Sequence, residues 1–207
     1  MSAALVEVEE EFATYARDGV EIPGIGPSLP PGEQLLWVGA PSAERVARDA
    51  MHTRGLAVYF ALLVLGPALF ASAGSRLAAI LTASVWVVPL GIATVLFART
   101  FSVLVARTTV YAITDRRIVM KVGIALPTTI NIPLHSVTAA AMQQRGDGGG
   151  DIAVSLGDDP RIAYLLLWPH ARAWRLAHPQ PTLRGLDDVA AVGRTLTSAI
   201  AAAEAAR

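Results

Sequence analysis

Two long stretches in the middle of the chain contain no charged residue. They extend from Gly55 to Ser75 and from Leu77 to Ala98, and Arg76 is the one charge between them. A helix rises 1.5 Å per residue, so about 20 apolar residues cross a hydrocarbon layer of about 30 Å. The pattern therefore predicts a transmembrane helical hairpin over residues 55–98. The alternative is a buried hairpin in a soluble protein, but a chain of 207 residues would struggle to cover two helices that are apolar on all sides.

Residues within and around these runs predict how the hairpin packs and how it is oriented. Gly66 and Gly91 would let a neighbouring helix approach closely, which makes them candidate helix-packing positions. By the positive-inside rule, both termini of a multi-pass inner-membrane protein are expected in the cytoplasm. This orientation rests on the basic residues that flank the two runs on the side away from the short connecting turn, namely Arg45, Arg48, Arg54, Arg99, Arg107, Arg116, Arg117 and Lys121.

The segment before the hairpin divides into a tail and a shorter patterned stretch. Residues 1–33 combine the acidic "EVEEEF" with the proline- and glycine-rich "IPGIGPSLPPGE", which predicts a flexible tail. Residues 34–54 begin with an apolar strand around Trp37 and continue as an amphipathic helix in "SAERVARDAMHTR". This helix is expected in the membrane interface, where Arg45 and Arg48 would contact anionic lipid headgroups. His52 is expected there too, as an interfacial histidine rather than a pigment ligand.

After the hairpin, the apolar positions change to the two-residue period of strands. "SVLVARTTVYAITDRRIVMKVG" is rich in β-branched and aromatic residues, and "TTINIPL" alternates. With the strands predicted in "DIAVSLGDDPRIAYLLLW", about six follow in antiparallel succession, because no connection has room for a crossover helix. Leu186, Val189, Leu196 and Ile200 recur at helical spacing, which predicts a C-terminal helix over residues 185–206. The fold class is an α+β membrane protein, in which residues 99–207 form a cytoplasmic pleckstrin-homology-like β-domain capped by that helix.

Charge and cysteine content narrow the classes of function. Basic and acidic residues number 17 each, so the net charge gives no indication of a nucleic-acid partner. The chain has no cysteine, which excludes disulfides, a thiolate nucleophile and cysteine metal sites. A long polar segment precedes the first apolar run, unlike the start of a signal peptide. Neither run contains an ionisable residue, so an intramembrane catalytic site is not expected.

The segment "RIAYLLLWPHARAWRL" raises the main question about chemistry. Trp168, His170, Arg172 and Trp174 form a candidate partner surface, because tryptophan and arginine are enriched at binding hot spots. The alternative is a structural corner, in which Trp168 enters the core, Pro169 turns the chain and His170 bonds to the backbone. No cluster of donors at metal-site spacing accompanies His170, and no nucleophile is marked, so neither a metal site nor acid–base catalysis is expected.

Two further motifs have simple interpretations. "RGDGGGD" is glycine-rich, but a strand rather than a helix follows it and the lysine of a phosphate-binding loop is missing, so a hairpin turn is predicted. Arg116 and Arg117 follow the turn-like Thr114-Asp115. They are candidate lipid-headgroup contacts, because a charged turn beside an anionic inner leaflet is stabilised by about 1 kcal/mol per arginine.

The order of these motifs resembles a known family. "PPGEQLLWVGAP", the hairpin, "YAITDRRIVMKVG" and "IPLHSV" resemble bacterial membrane proteins that carry a pleckstrin-homology-like domain. "AMHTRGLAVYFALL", "VYAITDRRIVMKVGIALPTTINIPL", "GDIAVSL" and "YLLLWPHARAW" resemble the photosynthetic complex assembly protein PuhB family of purple bacteria. The resemblance covers about residues 29–200, and "WPHARAW" is its most specific part.

This resemblance implies a non-catalytic inner-membrane factor that helps to assemble the photosynthetic reaction centre and its core light-harvesting antenna. Its expected partners are reaction-centre and core-antenna membrane subunits and membrane lipids, and it is expected to form a homodimer. The resemblance supplies no catalytic, cofactor-binding or metal residue, and the pigment interaction that it allows is a transient contact with bacteriochlorophyll. The alternative is a general lipid- or membrane-binding pleckstrin-homology-like module unrelated to photosynthesis.

Overall fold

The computed structural model describes residues 29–30, 32–124, 127–157, 170 and 180–205. The chain divides into two compact units. Residues 43–104 form the first, here called the helical unit, and the described residues within 1–42 and 105–207 form the second, here called the β-domain. The chain thus leaves the β-domain after Ser42 and returns to it at Val105. The predicted tail over residues 1–33 lies almost wholly outside the described residues.

The helical unit consists of a short first helix and a helical hairpin. Helix α1, Ala43–Arg45, continues directly as a π-helical turn over Val46–Ala50. Helix α2 spans Thr53–Leu65, α3 spans Pro67–Phe70, and α4 spans Arg76–Thr108. Pro67 occupies the first position of α3, where the missing N–H is not needed.

The second long helix extends beyond its predicted end. The sequence pattern placed the end of the hairpin at residue 98 and the first strand of the β-domain soon after, but α4 continues to Thr108. The β-branched residues at its end do not stop it, since adding a residue to an existing helix costs far less than starting one. Hydroxyl groups inside α4 bond to the preceding turn: Ser102 Oγ donates to the Ala98 carbonyl at 2.7 Å.

The β-domain contains two antiparallel sheets and a C-terminal helix. Within the described residues, the first sheet has the order β1-β2-β3-β4 and the second has the order β5-β6-β7. The pleckstrin-homology-like fold with antiparallel sheets and a C-terminal helix, predicted from the sequence, is confirmed. The elements are β1 (Leu35–Gly39), β2 (Val110–Thr114), β3 (Arg117–Val122), β4 (Thr128–Pro133), β5 (Val137–Gln144), β6 (Gly150–Leu156), β7 (Thr182–Leu186) and α5 (Val189–Ala205).

The apolar core of the β-domain lies between the sheets and α5. Burial of these side chains is the main stabilising contribution, at about 25 cal/mol for each Å² of apolar surface removed from water. Trp37 of β1 packs against this core, as expected for the strand predicted around it. The core is formed by Tyr111, Ile113, Ile118, Met120, Val122, Ile130, Ile132, Leu134, Val137, Ile152, Val154, Leu183, Leu186, Val189, Val192, Leu196 and Ala199.

The start of the C-terminal helix corrects a second prediction. The helical spacing placed this start at residue 185, but Thr182–Leu186 is a strand that pairs with β6, and α5 begins at Val189. Gly185 adopts a φ of +67°, which a helix does not allow. Asp188 caps the helix, because its Oδ1 accepts a hydrogen bond from the Ala191 N–H at 2.8 Å. The strand predicted over residues 161–168 lies outside the described residues.

The glycine-rich segment forms the predicted turn between β5 and β6. Gly148 has a φ of +83°, in the left-handed region that glycine adopts without strain. Gly150 has another role, since a Cβ atom there would collide with the backbone carbonyl of Gln143 on the facing strand. The glycines therefore permit a tight hairpin with closely paired strands, and the hairpin-turn prediction is confirmed.

Candidate functional site

His170 lies in a closed polar cluster inside the β-domain. Its Nδ1 is 2.6 Å from the Tyr111 hydroxyl, and its Nε2 is 3.1 Å from Thr109 Oγ1. The Tyr111 hydroxyl also accepts a hydrogen bond from the Arg184 backbone N–H at 3.2 Å. The His170 carbonyl accepts a further bond from the Thr182 N–H at 2.8 Å. Residues in or next to strands β2 and β7, which belong to different sheets, therefore hold both ring nitrogens and the carbonyl of His170.

Burial determines the charge state of the cluster. His170 is 1% exposed, and burial followed by the positive charge of Arg184 lowers its pKa to about 3. The ring is therefore neutral at physiological pH, with one donor nitrogen and one acceptor nitrogen. Burial raises the pKa of Tyr111 above its usual value, so its hydroxyl stays protonated. Both hydroxyl partners, Tyr111 and Thr109, can donate to or accept from the ring, so either tautomer of the neutral ring satisfies both nitrogens.

The geometry makes His170 a structural anchor rather than a contact residue. Its assignment to a partner surface is wrong, because the ring is enclosed and both nitrogens are already bonded. The structural-corner alternative fits this residue, although its ring bonds to side chains rather than to backbone. Trp168, Arg172 and Trp174, the other members of the candidate partner surface, lie outside the described residues.

The sequence pattern gave no indication of the partners of His170. Thr109 and Tyr111 are about sixty residues away along the chain, and both belong to segments with an ordinary strand pattern. A hydroxyl-bearing residue at the start of a strand is common, so no local signal distinguishes these two. Within the described ranges, no group of three histidine or acidic side chains is placed to hold a metal ion.

The candidate headgroup arginines at the β2–β3 turn have other partners. Arg117 forms a two-point ion pair with Glu33, with Nε–Oε1 at 2.9 Å and Nη2–Oε2 at 3.1 Å. Arg116 donates from Nη2 to the Gly32 carbonyl at 3.1 Å. Both guanidinium groups therefore fasten the segment before β1 to the tip of the β2–β3 hairpin. This arrangement weakens the interpretation of Arg117 as a lipid contact, because a planar guanidinium paired at two points has few donors left.

The other two candidate headgroup arginines lie in the helical unit. Arg45 ends α1. Arg48 lies in the π-helical turn, where its Nε is 3.2 Å from Asp49 Oδ1. His52 follows this turn with a φ of 52°, and its Nδ1 is 3.3 Å from the Ala50 carbonyl. A left-handed histidine between the turn and α2 marks a sharp change of chain direction.

The two candidate packing glycines have different surroundings. A Cβ atom at Gly91 would lie 2.9 Å from Cγ of Phe60, so the absence of a side chain lets α2 and α4 approach closely at this level. A Cβ atom at Gly66 would instead lie 2.9 Å from the carbonyl oxygen of Leu62, within the same helical segment. Gly66 therefore lies at the junction between α2 and α3, and within the described residues no other helix comes within 4 Å of this Cβ position, so its role in helix packing stays a prediction.

The hairpin presents a large apolar surface. Thr53–Phe70 and Arg76–Thr108 are long and apolar enough to cross a membrane, and only 6% of the residues in each apolar window are buried. Trp86 is 79% exposed and Phe70 is 93% exposed. Among the described residues, all large exposed hydrophobic side chains belong to these helices except Leu36, Ile124 and Met142. A soluble protein rarely exposes contiguous apolar surface of this extent.

Comparison with known proteins defines the class of this chain. The family model described as "Bacterial PH domain" matches residues 57–200, and the chain belongs to that family. A protein of Rhodobacter capsulatus, described as an uncharacterized 23.7 kDa protein in the puhA 5′ region, is 31% identical over 179 residues. The alignment covers 86% of this chain and 84% of that protein. The family resemblance predicted from the motifs is thereby confirmed.

A solved structure provides a further, more distant comparison. It is a DUF1696 family protein with a pleckstrin-homology domain from Shewanella loihica PV-4. The match covers 44% of this chain and 68% of that one, with 13% identity and a TM-score of 0.29.

Proposed function

We propose that this protein is a non-catalytic inner-membrane factor for assembly of the photosynthetic reaction centre and its core light-harvesting antenna. The observation that carries the proposal is the 31% identity, over most of both chains, to a protein whose description places it in the puhA 5′ region. The resemblance of "WPHARAW" and the other motifs to the PuhB assembly family points the same way. The clients are membrane subunits of these complexes, and the factor acts as a homodimer.

The exposed hairpin is the proposed client-binding surface. Its helices carry no charge between residues 55 and 98 except Arg76, so they associate with other helices by packing and by close approach of small residues. Such contacts are reversible, which suits a factor that holds newly inserted subunits and then releases them. In this proposal the hairpin spans the membrane, both termini are cytoplasmic, and the β-domain lies at the cytoplasmic surface.

The test is the near-infrared absorption of membranes from a strain that lacks the gene, grown under phototrophic conditions. We expect specific loss of the reaction-centre and core-antenna bands while pigment synthesis continues, and recovery when the gene is restored. An unchanged spectrum would contradict the assembly role and favour the general lipid-binding alternative.

Photocrosslinking in the same cells tests which surface meets the client. A photoreactive residue at Trp86, which is highly exposed on α4, should crosslink to reaction-centre or antenna subunits. A photoreactive residue at Met142, exposed on β5, serves as the matched control and should not. Crosslinks from Met142 alone would place the client on the β-domain instead.

A further inference from the structure

A groove runs between the two long helices of the hairpin. It has a volume of about 580 Å³, and its lining includes Ala57, Phe60 and Ala61 from α2 with Val88, Gly91 and Arg99 from α4. Apart from Arg99, the groove is lined by apolar side chains and by Gly91. The groove spans twelve residues of α4, from Val88 to Arg99, which corresponds to about 16 Å along the helix. That length is close to half of a hydrocarbon layer of about 30 Å, the depth available to the acyl chains of one leaflet.

One end of the groove is cationic. Arg99 lines it there, eight residues after Gly91 and about 12 Å along α4 from the contact with Phe60. Arg54 lies six residues before Phe60 and about 9 Å from the same contact, toward the same end because the two helices are antiparallel. Both side chains are exposed, and neither has a carboxylate partner among the residues that the structure describes.

We propose that this groove binds one anionic phospholipid, with an acyl chain between α2 and α4 and its phosphate near Arg99 and Arg54. The inference rests on the membrane insertion of the hairpin included in the proposed function. Charge complementarity selects this occupant, because an apolar helix of another subunit would leave two arginines without a counter-charge. An anionic headgroup satisfies them and places the acyl chain along the apolar lining.

The test is native mass spectrometry of the full chain, released from detergent and titrated with phosphatidylglycerol or phosphatidylcholine. Wild-type protein should bind the first phosphatidylglycerol more tightly than the first phosphatidylcholine. Arg99→Gln should weaken phosphatidylglycerol binding about fivefold, the factor that corresponds to about 1 kcal/mol per arginine. Arg76→Gln, at the opposite end of the hairpin, is the matched control and should leave this affinity unchanged.

A second pair of variants tests the apolar part of the groove. Ala57→Trp places a large side chain in the groove, whereas Val58→Trp adds the same group at an exposed position outside its lining. We expect Ala57→Trp to weaken binding of both lipids and Val58→Trp to weaken neither. This pattern separates occupancy of the groove from general attraction of anionic lipid to the surface.

Three results would overturn the inference. The first is equal phosphatidylglycerol affinity in wild type and Arg99→Gln, and the second is an unchanged affinity in Ala57→Trp. The third is a lipid-free dimer that Ala57→Trp dissociates and Val58→Trp does not, which would assign the groove to a second copy. Carbonate extraction of native membranes provides the separate test of insertion: release of the protein would contradict the membrane proposal itself.

Discussion

Protonation of His170 should contribute to the loss of β-domain stability on acidification. In the unfolded chain the imidazole has a pKa of about 6.5, whereas in the folded protein burial and Arg184 lower it to about 3. Because the folded-state value is the lower one, protons bind preferentially to the unfolded state. The stability contributed by the neutral ring is therefore complete above about pH 6.5 and is lost as the pH falls from 6.5 toward 3.

The expected magnitude follows from these two pKa values. Between pH 8 and pH 5, protonation of the unfolded state alone should lower the free energy of unfolding by about 2 kcal/mol. Other groups also titrate in this range, so the comparison is between wild type and His170→Gln. Glutamine can still bond to Tyr111 and Thr109 but cannot be protonated. The variant should therefore lose about 2 kcal/mol less than wild type over this pH interval.

Guanidinium unfolding of the full chain in detergent micelles, followed by tryptophan fluorescence and far-ultraviolet circular dichroism, measures both free energies. His135→Gln, at an exposed histidine, is the control and should keep the pH dependence of wild type. An equal loss of stability in wild type and His170→Gln would refute the reasoning, because it would mean that the folded protein protonates His170 as readily as the unfolded chain does.

Two glycine substitutions test close approaches of the backbone. Gly150→Ala should destabilise the β-domain by about 3 kcal/mol or more, because its Cβ atom would collide with the carbonyl of the facing strand. The control Gly146→Ala lies in open space and should cost less than about 1 kcal/mol in the same unfolding assay. Gly91→Val should lower the stability of the hairpin by about 1–3 kcal/mol, because its side chain would collide with Phe60. The control Ala93→Val, at an exposed position of α4, should leave the stability unchanged. Equal melting temperatures of the two variants would contradict the close contact between α2 and α4.

The sequence alone determined the features that depend on local pattern. Uncharged runs longer than a bilayer requires identified the two apolar helices, and the two-residue alternation around Ile130 identified strands. The glycine cluster identified the β5–β6 turn for the same reason, since the conformations that a turn needs are properties of its own residues. Family-specific motifs such as "WPHARAW" then indicated the protein family.

Only the tertiary structure decided the features that depend on residues far apart in the chain. Helix α4 extends to Thr108 although its last residues are rich in β-branched side chains. Strand β7 forms because Thr182–Leu186 can pair with β6. The enclosure of His170 by Thr109 and Tyr111 brings together residues about sixty positions apart. A histidine beside tryptophans and arginines has the composition of a binding surface, but burial is set by packing across the whole domain, and no local pattern encodes it.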